Sequence, residues 1–132
     1  MTDKLFSPGQ ANAALPLVRQ IVTDVVLHQT RLADLVTAYQ SKKREPGASQ
    51  IALNEARQQL ATVASERDAC VAELVDLGLQ VKDTATGLVD FPSLLDGKPV
   101  LLCWRLGEPD VQFWHEVDTG FAGRQPLPVL VG

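Results

Sequence analysis

Apolar residues in the first third of the chain recur at alternating spacings of three and four, as on one side of an α-helix. The series runs through Leu15, Val18, Val22, Val25, Leu32, Val36 and Tyr39, and Ile21 and Leu35 widen it. Before it, Ser7-Pro8-Gly9-Gln10 supplies an N-cap hydroxyl, a proline for the first turn and a glutamine that can bond back to the cap. The pattern predicts a long helix over residues 7–43, with Pro16 as a point where the first turns can kink or separate.

A second helical series follows a short break at Pro46-Gly47. It runs through Leu53, Ala56, Leu60, Val63, Cys70, Leu74 and Leu77, and Gly78 is placed to end the helix in the left-handed conformation. We therefore expect a helix over residues 49–78, antiparallel to the first because the connection between them is short.

Two polar residues, Gln29 and Arg67, interrupt these series. They either fix the register of the two helices or mark where the apolar stripe reaches an edge. Each stripe is wider than one partner helix covers. The excess is expected to pack on the C-terminal segment or on a second copy of the chain, which predicts a homo-oligomer through the helices.

Beyond Gly78 the apolar spacing changes from the helical period to alternation, which is typical of strands. Residues 79–127 therefore predict an antiparallel sheet with Gly- and Pro-rich loops. The chain as a whole, residues 1–132, is predicted to be a single α+β domain. Its architecture is a long antiparallel helical hairpin followed by a small antiparallel β-sheet packed on it.

The best-defined strands span residues 100–106 and 111–116, and residues 107–110 read as a four-residue hairpin loop. If Leu106 opposes Val111, then Trp104 pairs with Phe113, Cys103 with Trp114 and Arg105 with Gln112. The alternation of side chains then turns Trp104, Phe113 and His115 toward the helices. Arg105, Trp114 and Glu116 would form a mixed outer face that is suited to a partner or a ligand.

Charge and composition exclude several classes of protein. The net charge of −4 and the pI near 5.0 argue against a nucleic-acid partner, because duplex binding needs many Lys and Arg contacts to phosphates. The chain has no apolar run of about 18 residues and no apolar core in residues 1–9, so neither a membrane span nor a signal peptide is expected. Cys70 and Cys103 lie in different predicted elements and show no CxxC or Cys/His spacing, which favours reduced thiols and the cytoplasm.

The segment His115-Glu116-Val117-Asp118 raises the possibility of a metal site, since imidazole and carboxylate groups bind divalent cations. Neighbouring strand residues point to opposite faces, so His115 and Glu116 cannot chelate one ion together. A site would need His115 with Asp118, or with Asp90 or Glu108 brought in from elsewhere. The simpler hypothesis is a histidine at the edge of the core, hydrogen-bonded to a carboxylate or a backbone carbonyl.

The remaining charged residues also have two interpretations. Asp90 alternates with apolar neighbours and is expected to form an ion pair with Arg105 or Arg124. The alternative is that one of these arginines binds a small anionic ligand beside Trp114. Glu108 can act as a general acid or base only if it is desolvated, and carboxylates in hairpin loops commonly bond to neighbouring amides. For Cys103 the predicted neighbour Trp114 would raise the thiol pKa, which argues against a nucleophile.

Several short blocks occur in an order that resembles a known family. They are Phe6-Ser7, residues 11–17, residues 87–92, residues 102–109, residues 113–116 and residues 120–124. In these blocks the chain resembles the small bacterial proteins of the family called domain of unknown function 2203. The resemblance extends over nearly the whole chain. It implies a bacterial, cytoplasmic, single-domain protein and assigns no activity.

Two functional hypotheses follow. The first is a non-enzymatic binding or assembly module that forms a homo-oligomer and contacts a protein partner or a small anionic ligand through its C-terminal sheet and loops. Its candidate binding residues are Asp90, Arg105, Glu108, Trp114, His115, Glu116 and Arg124. The second is a small metal-dependent or acid/base enzyme centred on His115 with Asp90, Glu108 and Asp118, in which His115 and Asp118 would bind any metal. The sequence identifies no cofactor.

Overall fold

The structure, a computed structural model, describes residues 4–128. In this part of the chain two helices precede five strands and a short 3-10 helix. They are α1 (Pro8–Arg44), α2 (Gln50–Asp76), β1 (Gln80–Asp83), β2 (Leu88–Leu95), β3 (Lys98–Arg105), β4 (Phe113–Glu116), the 3-10 helix (Phe121–Gly123) and β5 (Gln125–Pro126). Each strand pairs antiparallel with the next one along the chain. The predicted α+β architecture, a helical hairpin followed by an antiparallel sheet, is confirmed.

The helix ends follow from the residues that flank them. The Ser7 hydroxyl accepts a hydrogen bond from Gln10 N, and Gln10 Oε1 accepts one from Ser7 N at 2.9 Å, so two free amides at the start of α1 are satisfied. The helix continues through Pro16, and its first turns do not separate there. Ser49 caps α2 through its hydroxyl, and Gly78, with φ of 100°, follows the end. Within residues 4–128 neither helix is apolar enough over a sufficient length to cross a membrane.

The sheet covers only part of the helical hairpin. Its inner face packs on the first half of α1 and the end of α2, and the buried core comprises Phe6, Ala11, Leu15, Val18, Ile21, Val22, Val25, Leu74, Leu79, Val89, Phe91, Leu102, Trp104 and Val111. In α1 the buried side chains end at Val25. We call residues 26–67 the arm; within it only Leu53 and Val63 are buried. The arm therefore extends past the core as two helices packed on each other.

The two polar interruptions of the helical pattern lie at the start of the arm. Arg67 Nη1 donates a hydrogen bond to Gln29 Oε1 at 2.9 Å, and the Thr84 hydroxyl donates to the same oxygen at 3.0 Å. Because Thr84 belongs to the β1–β2 turn, this contact marks the edge of the apolar surface that the sheet covers. It also ties α1 to α2, since Gln29 belongs to the first helix and Arg67 to the second.

The sheet approaches α1 most closely at Gly87. A Cβ atom at this position would lie 2.8 Å from Val22 Cγ1 and 2.9 Å from Leu106 Cβ, and the residue has φ of 74°. Glycine meets both requirements, since it has no side chain and adopts positive φ without strain. The turn before β2 can therefore rest directly on the helix.

The pairing of β3 with β4 differs from the predicted register by one residue. Cys103 pairs with Phe113 and Leu102 with Trp114, whereas the sequence predicted Trp104 with Phe113 and Cys103 with Trp114. A shift of one residue turns each β4 side chain to the other face of the sheet. The assignment of Trp114 to the outer face was therefore wrong, because Trp114 packs against the core. Phe113 and His115 belong to the outer face.

The connection between β3 and β4 explains this shift. Val111 N donates to Asn12 Oδ1 at 2.7 Å, and Asn12 Nδ2 donates to Val111 O at 3.4 Å. The Val111 side chain is buried in the core against α1. These contacts hold Val111 on the helix and outside the strand, so the connection runs from residue 106 to residue 112 and is longer than the predicted four-residue loop.

Candidate functional site

Three buried polar or thiol side chains from three adjacent strands meet on the outer face of the sheet. Asp90 of β2, Cys103 of β3 and His115 of β4 are 1%, 0% and 1% exposed. Asp90 pairs directly with Cys103, and His115 pairs with Leu101, two residues before Cys103 on the same face. One carboxylate oxygen, the sulfur and one ring nitrogen lie within 4.8 Å of one another. We call these residues the Asp-Cys-His cluster.

Both ring nitrogens of His115 are hydrogen-bonded. Nδ1 lies 2.7 Å from the backbone oxygen of Glu116, and Nε2 lies 3.0 Å from Asp90 Oδ2. A carbonyl oxygen only accepts, so Nδ1 carries a proton and donates it. The Nε2–Oδ2 contact then requires a second proton, on the ring or on the carboxyl group, and in either case the pair has no net charge. The hypothesis that His115 is bonded to a carboxylate or a carbonyl is confirmed, since it is bonded to both.

The other carboxylate oxygen of Asp90 is less well satisfied. Asp90 Oδ1 is buried and has no hydrogen-bond partner among residues 4–128. Most buried polar atoms in folded proteins have a partner, and one that does not is a reason to look for a ligand.

Cys103 is buried beside this carboxyl group. Burial, reinforced by the negative charge of Asp90, raises the pKa of the Cys103 thiol to about 12. The sequence predicted a raised pKa from contact with Trp114, but the register places Asp90 and Phe113 beside Cys103 instead. Because both ring nitrogens of His115 are already bonded, no imidazole nitrogen is free to take the thiol proton. The arrangement does not activate Cys103 as a nucleophile.

Arg124 and Glu108 form a second polar pair next to the cluster. Arg124 Nη2 donates to Glu108 Oε1 at 2.9 Å and to Cys103 O at 3.4 Å. The guanidinium carbon lies 3.9 Å from the ring centre of Phe113 and 4.6 Å from that of Phe121, so both rings contact the cation.

The predicted pairing of Asp90 with Arg105 or Arg124 is wrong. His115 pairs with Asp90, and Glu108 pairs with Arg124. Glu108 Oε1 also accepts the backbone amide of Arg105 at 2.7 Å, as expected for a carboxylate in a hairpin loop. The shift of β4 brought His115 to the face where Asp90 lies, which is why the imidazole takes the place expected for an arginine.

The other candidate residues lie outside these two groups. The Arg105 side chain is exposed and lies over the Phe121 ring at 5.2 Å. Trp114 packs on the core, and Glu116 accepts a hydrogen bond from Lys98 Nζ at 2.7 Å. Asp118 is exposed beyond the end of β4 and is not part of the Asp-Cys-His cluster.

A separate candidate surface lies on the arm. A groove of about 460 Å³ between the helices is lined by Arg31, Glu55, Gln58, Gln59, Thr62, Val63 and Glu66. Leu27, 62% exposed, lies one helical turn before Arg31, and Ile51, 72% exposed, lies one turn before Glu55. Two exposed apolar residues therefore flank this groove at its two ends.

The groove is on the side of the hairpin that faces away from the sheet. Val22, which lies against Gly87 of the sheet, precedes Arg31 by nine residues, or about two and a half helical turns. A separation of this kind places two residues on opposite sides of a helix. Nothing in residues 4–128 covers Leu27 or Ile51, as their exposure shows.

Charges are distributed unevenly along the hairpin. Its tip, residues 40–57, carries four cations and two carboxylates. Its base, residues 24–31 and 64–76, extends beyond the arm and carries two Arg side chains and five carboxylates, of which Glu66 lies in the arm. Burial, together with the negative charges of the base carboxylates Glu73, Asp24 and Glu66, raises the pKa of the Cys70 thiol. The tip is therefore positive and the base negative.

Comparison with known proteins places the chain in a family. The chain matches the family DUF2203, described as an uncharacterized conserved protein, over residues 4–127. The chain belongs to this family. No curated protein and no solved structure matches it. The DUF2203 match includes the Asp-Cys-His cluster, the Arg124–Glu108 pair and the whole arm.

Cys103 was not among the candidate site residues that were predicted from the sequence of this DUF2203 chain. A usable signal was present: Cys103 lies between Leu102 and Trp104, and Asp90 lies between Val89 and Phe91. Alternation places both residues opposite the apolar face, independently of the β3–β4 register. The incorrect register obscured this signal, because it assigned Trp114 as the neighbour of Cys103.

Proposed function

We propose that the chain is a non-enzymatic assembly module of the bacterial cytoplasm and that it forms an antiparallel homodimer through the arm. The observation that carries the proposal is the separation of charge along the hairpin, with a positive tip and a negative base. When two identical arms pack antiparallel about a twofold axis, the tip of each lies against the base of the other. The tip cations of each copy then approach the base carboxylates of the other, of which Glu66 lies in the arm and the other four lie beyond its inner end.

The exposed apolar residues support the same arrangement. Leu27 lies near the base and Ile51 near the tip, on the side of the hairpin that faces away from the sheet. In an antiparallel pair, Leu27 of one copy approaches Ile51 of the other. Each copy then covers two apolar side chains that are otherwise exposed to water.

The size of this surface predicts a reversible dimer. From Leu27 to Arg44 the arm is about 26 Å long and, with two helices side by side, about 20 Å wide. Each copy would contribute about 500 Å², so the pair would bury roughly 1,000 Å², near the lower limit for a specific interface. With few apolar contacts and many charges, we expect a dissociation constant on the order of micromolar that increases with salt.

One further observation supports the cytoplasmic location. Cys70 and Cys103 are both free thiols, which fits the reducing cytoplasm. The assignment to bacteria depends on the family resemblance alone.

An acid/base enzyme centred on His115 has less support. Asp90 and His115 are each 1% exposed, so a substrate cannot contact them unless the residues that cover them move. Glu108 is bonded to Arg124, and Asp118 lies apart from both groups. A small anionic ligand at Arg124 also has less support, because the Glu108 carboxylate already pairs with that guanidinium.

Light scattering of the purified chain at low and high salt tests the proposal. We expect a dimer at concentrations of roughly 10–100 μM in low salt and a shift toward monomer as salt screens the end contacts. The Leu27→Lys variant should be monomeric, since it places a charge in the interface. The matched control is Leu94→Lys, which changes an equally apolar and 50% exposed residue on the sheet. A native chain that is monomeric in low salt, or a Leu27→Lys variant that dimerises as Leu94→Lys does, would contradict the proposal.

A further inference from the structure

The Asp-Cys-His cluster brings three kinds of metal-binding atom to one buried place: a carboxylate oxygen, a thiol sulfur and an imidazole nitrogen. A zinc ion bound at about 2.0–2.3 Å from such ligands holds them roughly 3.3–3.8 Å apart in a tetrahedral site. His115 Nε2 and Asp90 Oδ2 are 3.0 Å apart, and all three ligand atoms lie within 4.8 Å of one another. Small side-chain movements bring these distances to the values that an ion requires.

The orientation of His115 is the one found in metal sites. Its Nδ1 donates to the backbone oxygen of Glu116 at 2.7 Å, which fixes the ring and directs Nε2 toward Asp90 and Cys103. A metal-bound histidine usually donates its second ring N–H to a carbonyl or a carboxylate in this manner. The backbone of β4 therefore holds the imidazole ready to bind through Nε2.

An independent observation comes from Asp90. Its Oδ1 is buried and has no hydrogen-bond partner among residues 4–128, and the side chain is 2% exposed. A buried acceptor without a partner costs free energy, and a cation bound by the same carboxylate removes that cost. If both oxygens of Asp90 bind, the cluster supplies four ligand atoms from three residues.

Charge balance also favours a divalent ion. Asp90 as a carboxylate and Cys103 as a thiolate carry two negative charges, and neutral His115 adds none. One divalent cation therefore makes the buried group electrically neutral, as burial at 0–1% exposure requires. The ion takes the place of the proton on Cys103 and of the proton shared by Asp90 and His115.

We propose that Asp90, Cys103 and His115 bind one divalent transition-metal ion, with zinc as the best match to a mixed oxygen, sulfur and nitrogen set. The ion ties β2, β3 and β4 together and has a structural role, because the burial of all three side chains leaves no path for a substrate. This site is independent of the arm and of the proposed dimer.

Refolding the full-length, untagged chain with metal tests the site. Because the cluster is buried, the chain is first unfolded in guanidinium with a chelator and then refolded with a small excess of zinc or cobalt and desalted. We expect about one ion per chain, a higher melting temperature than that of metal-free protein, and a cobalt spectrum with thiolate charge-transfer absorption. Light scattering of the same samples reports the dimer separately.

Two variants provide the matched comparison. Cys103→Ala removes a ligand and should lose the ion, the cobalt absorption and the metal-dependent rise in melting temperature. Cys70→Ala, which removes the other thiol, should keep all three. The proposal is wrong if the refolded native chain retains no stoichiometric metal, if its melting temperature is the same with and without metal, or if a folded Cys103→Ala variant binds metal as the native chain does. Should Cys103→Ala not fold, the native and Cys70→Ala measurements decide.

Discussion

His115 determines how Asp90 is accommodated in the interior. A buried carboxylate is costly unless it is paired, and here Asp90 Oδ2 is hydrogen-bonded to His115 Nε2 while Oδ1 has no partner within residues 4–128. The imidazole is held in turn by Glu116 O. The Asp90 carboxyl group, the His115 imidazole and the Glu116 carbonyl are therefore linked by hydrogen bonds, which allow an ionisable side chain to lie inside the protein.

The raised pKa of Cys103 predicts how the stability of the metal-free protein depends on pH. The ordinary pKa of the thiol is 9.0, and burial raises it to about 12 in the folded chain, so the folded state retains the proton where the unfolded state loses it. The contribution of this thiol to the free energy of unfolding is fully present below pH 9.0. It is lost as the pH rises toward the pKa of the thiol in the folded chain, with a slope of at most about 1.4 kcal/mol per pH unit. Urea unfolding across this range measures the slope.

The comparison variant for this prediction is Cys103→Ala. Its free energy of unfolding should depend less on pH above 9.0 than that of the native chain, because no buried thiol remains at that position. Equal slopes for the two proteins would show that Cys103 titrates in the folded state much as it does in the unfolded state.

The elements could be predicted from the sequence to the extent that their signals are local. Helical spacing, the Ser7 capping box and the Pro46-Gly47 break placed both helices within two residues of their observed ends. The register of β4 could not be predicted in this way, because it depends on hydrogen bonds between Asn12 and Val111, which are 99 residues apart.

The candidate site was predictable only in part for the same reason. Asp90 and His115 were both identified, but their contact depends on the face to which β4 turns. Local alternation fixes faces within a strand, and long-range contacts fix one strand relative to the next. An error of one residue therefore changed which side chains meet.

Gly87 provides a test of how the sheet is seated on α1. Gly87→Ala must accommodate both a positive φ and contacts of 2.8 and 2.9 Å with Val22 and Leu106. Gly97→Ala has a similar φ of 78° but has no other atom within 4 Å of the added Cβ. We expect a loss of roughly 1–2 kcal/mol for Gly97→Ala and an additional 1–3 kcal/mol for Gly87→Ala, measured by urea unfolding. Equal losses would indicate that the turn does not rest on the helix.

At the scale of the molecule, the chain divides its helices between two roles. The half of α1 up to Val25 forms the core with the sheet, and the remainder forms the arm with α2. In the arm only Leu53 and Val63 are buried, so the two helices gain little stability from packing on each other. The proposed dimer adds a second layer to the arm without involving the Asp-Cys-His cluster.

Cysteine cross-linking tests the antiparallel dimer most directly. Leu27→Cys and Ile51→Cys are made separately in a Cys70→Ser chain, where the remaining native thiol, Cys103, is buried. Under mild oxidation, a mixture of the two variants should form a disulfide-linked dimer that contains one copy of each, whereas either variant alone should form much less. Cross-linking of each variant with itself, at a level equal to that in the mixture, would indicate parallel arms and contradict the account. A mixture that is dimeric by light scattering but forms no disulfide would place the interface elsewhere, which also contradicts it.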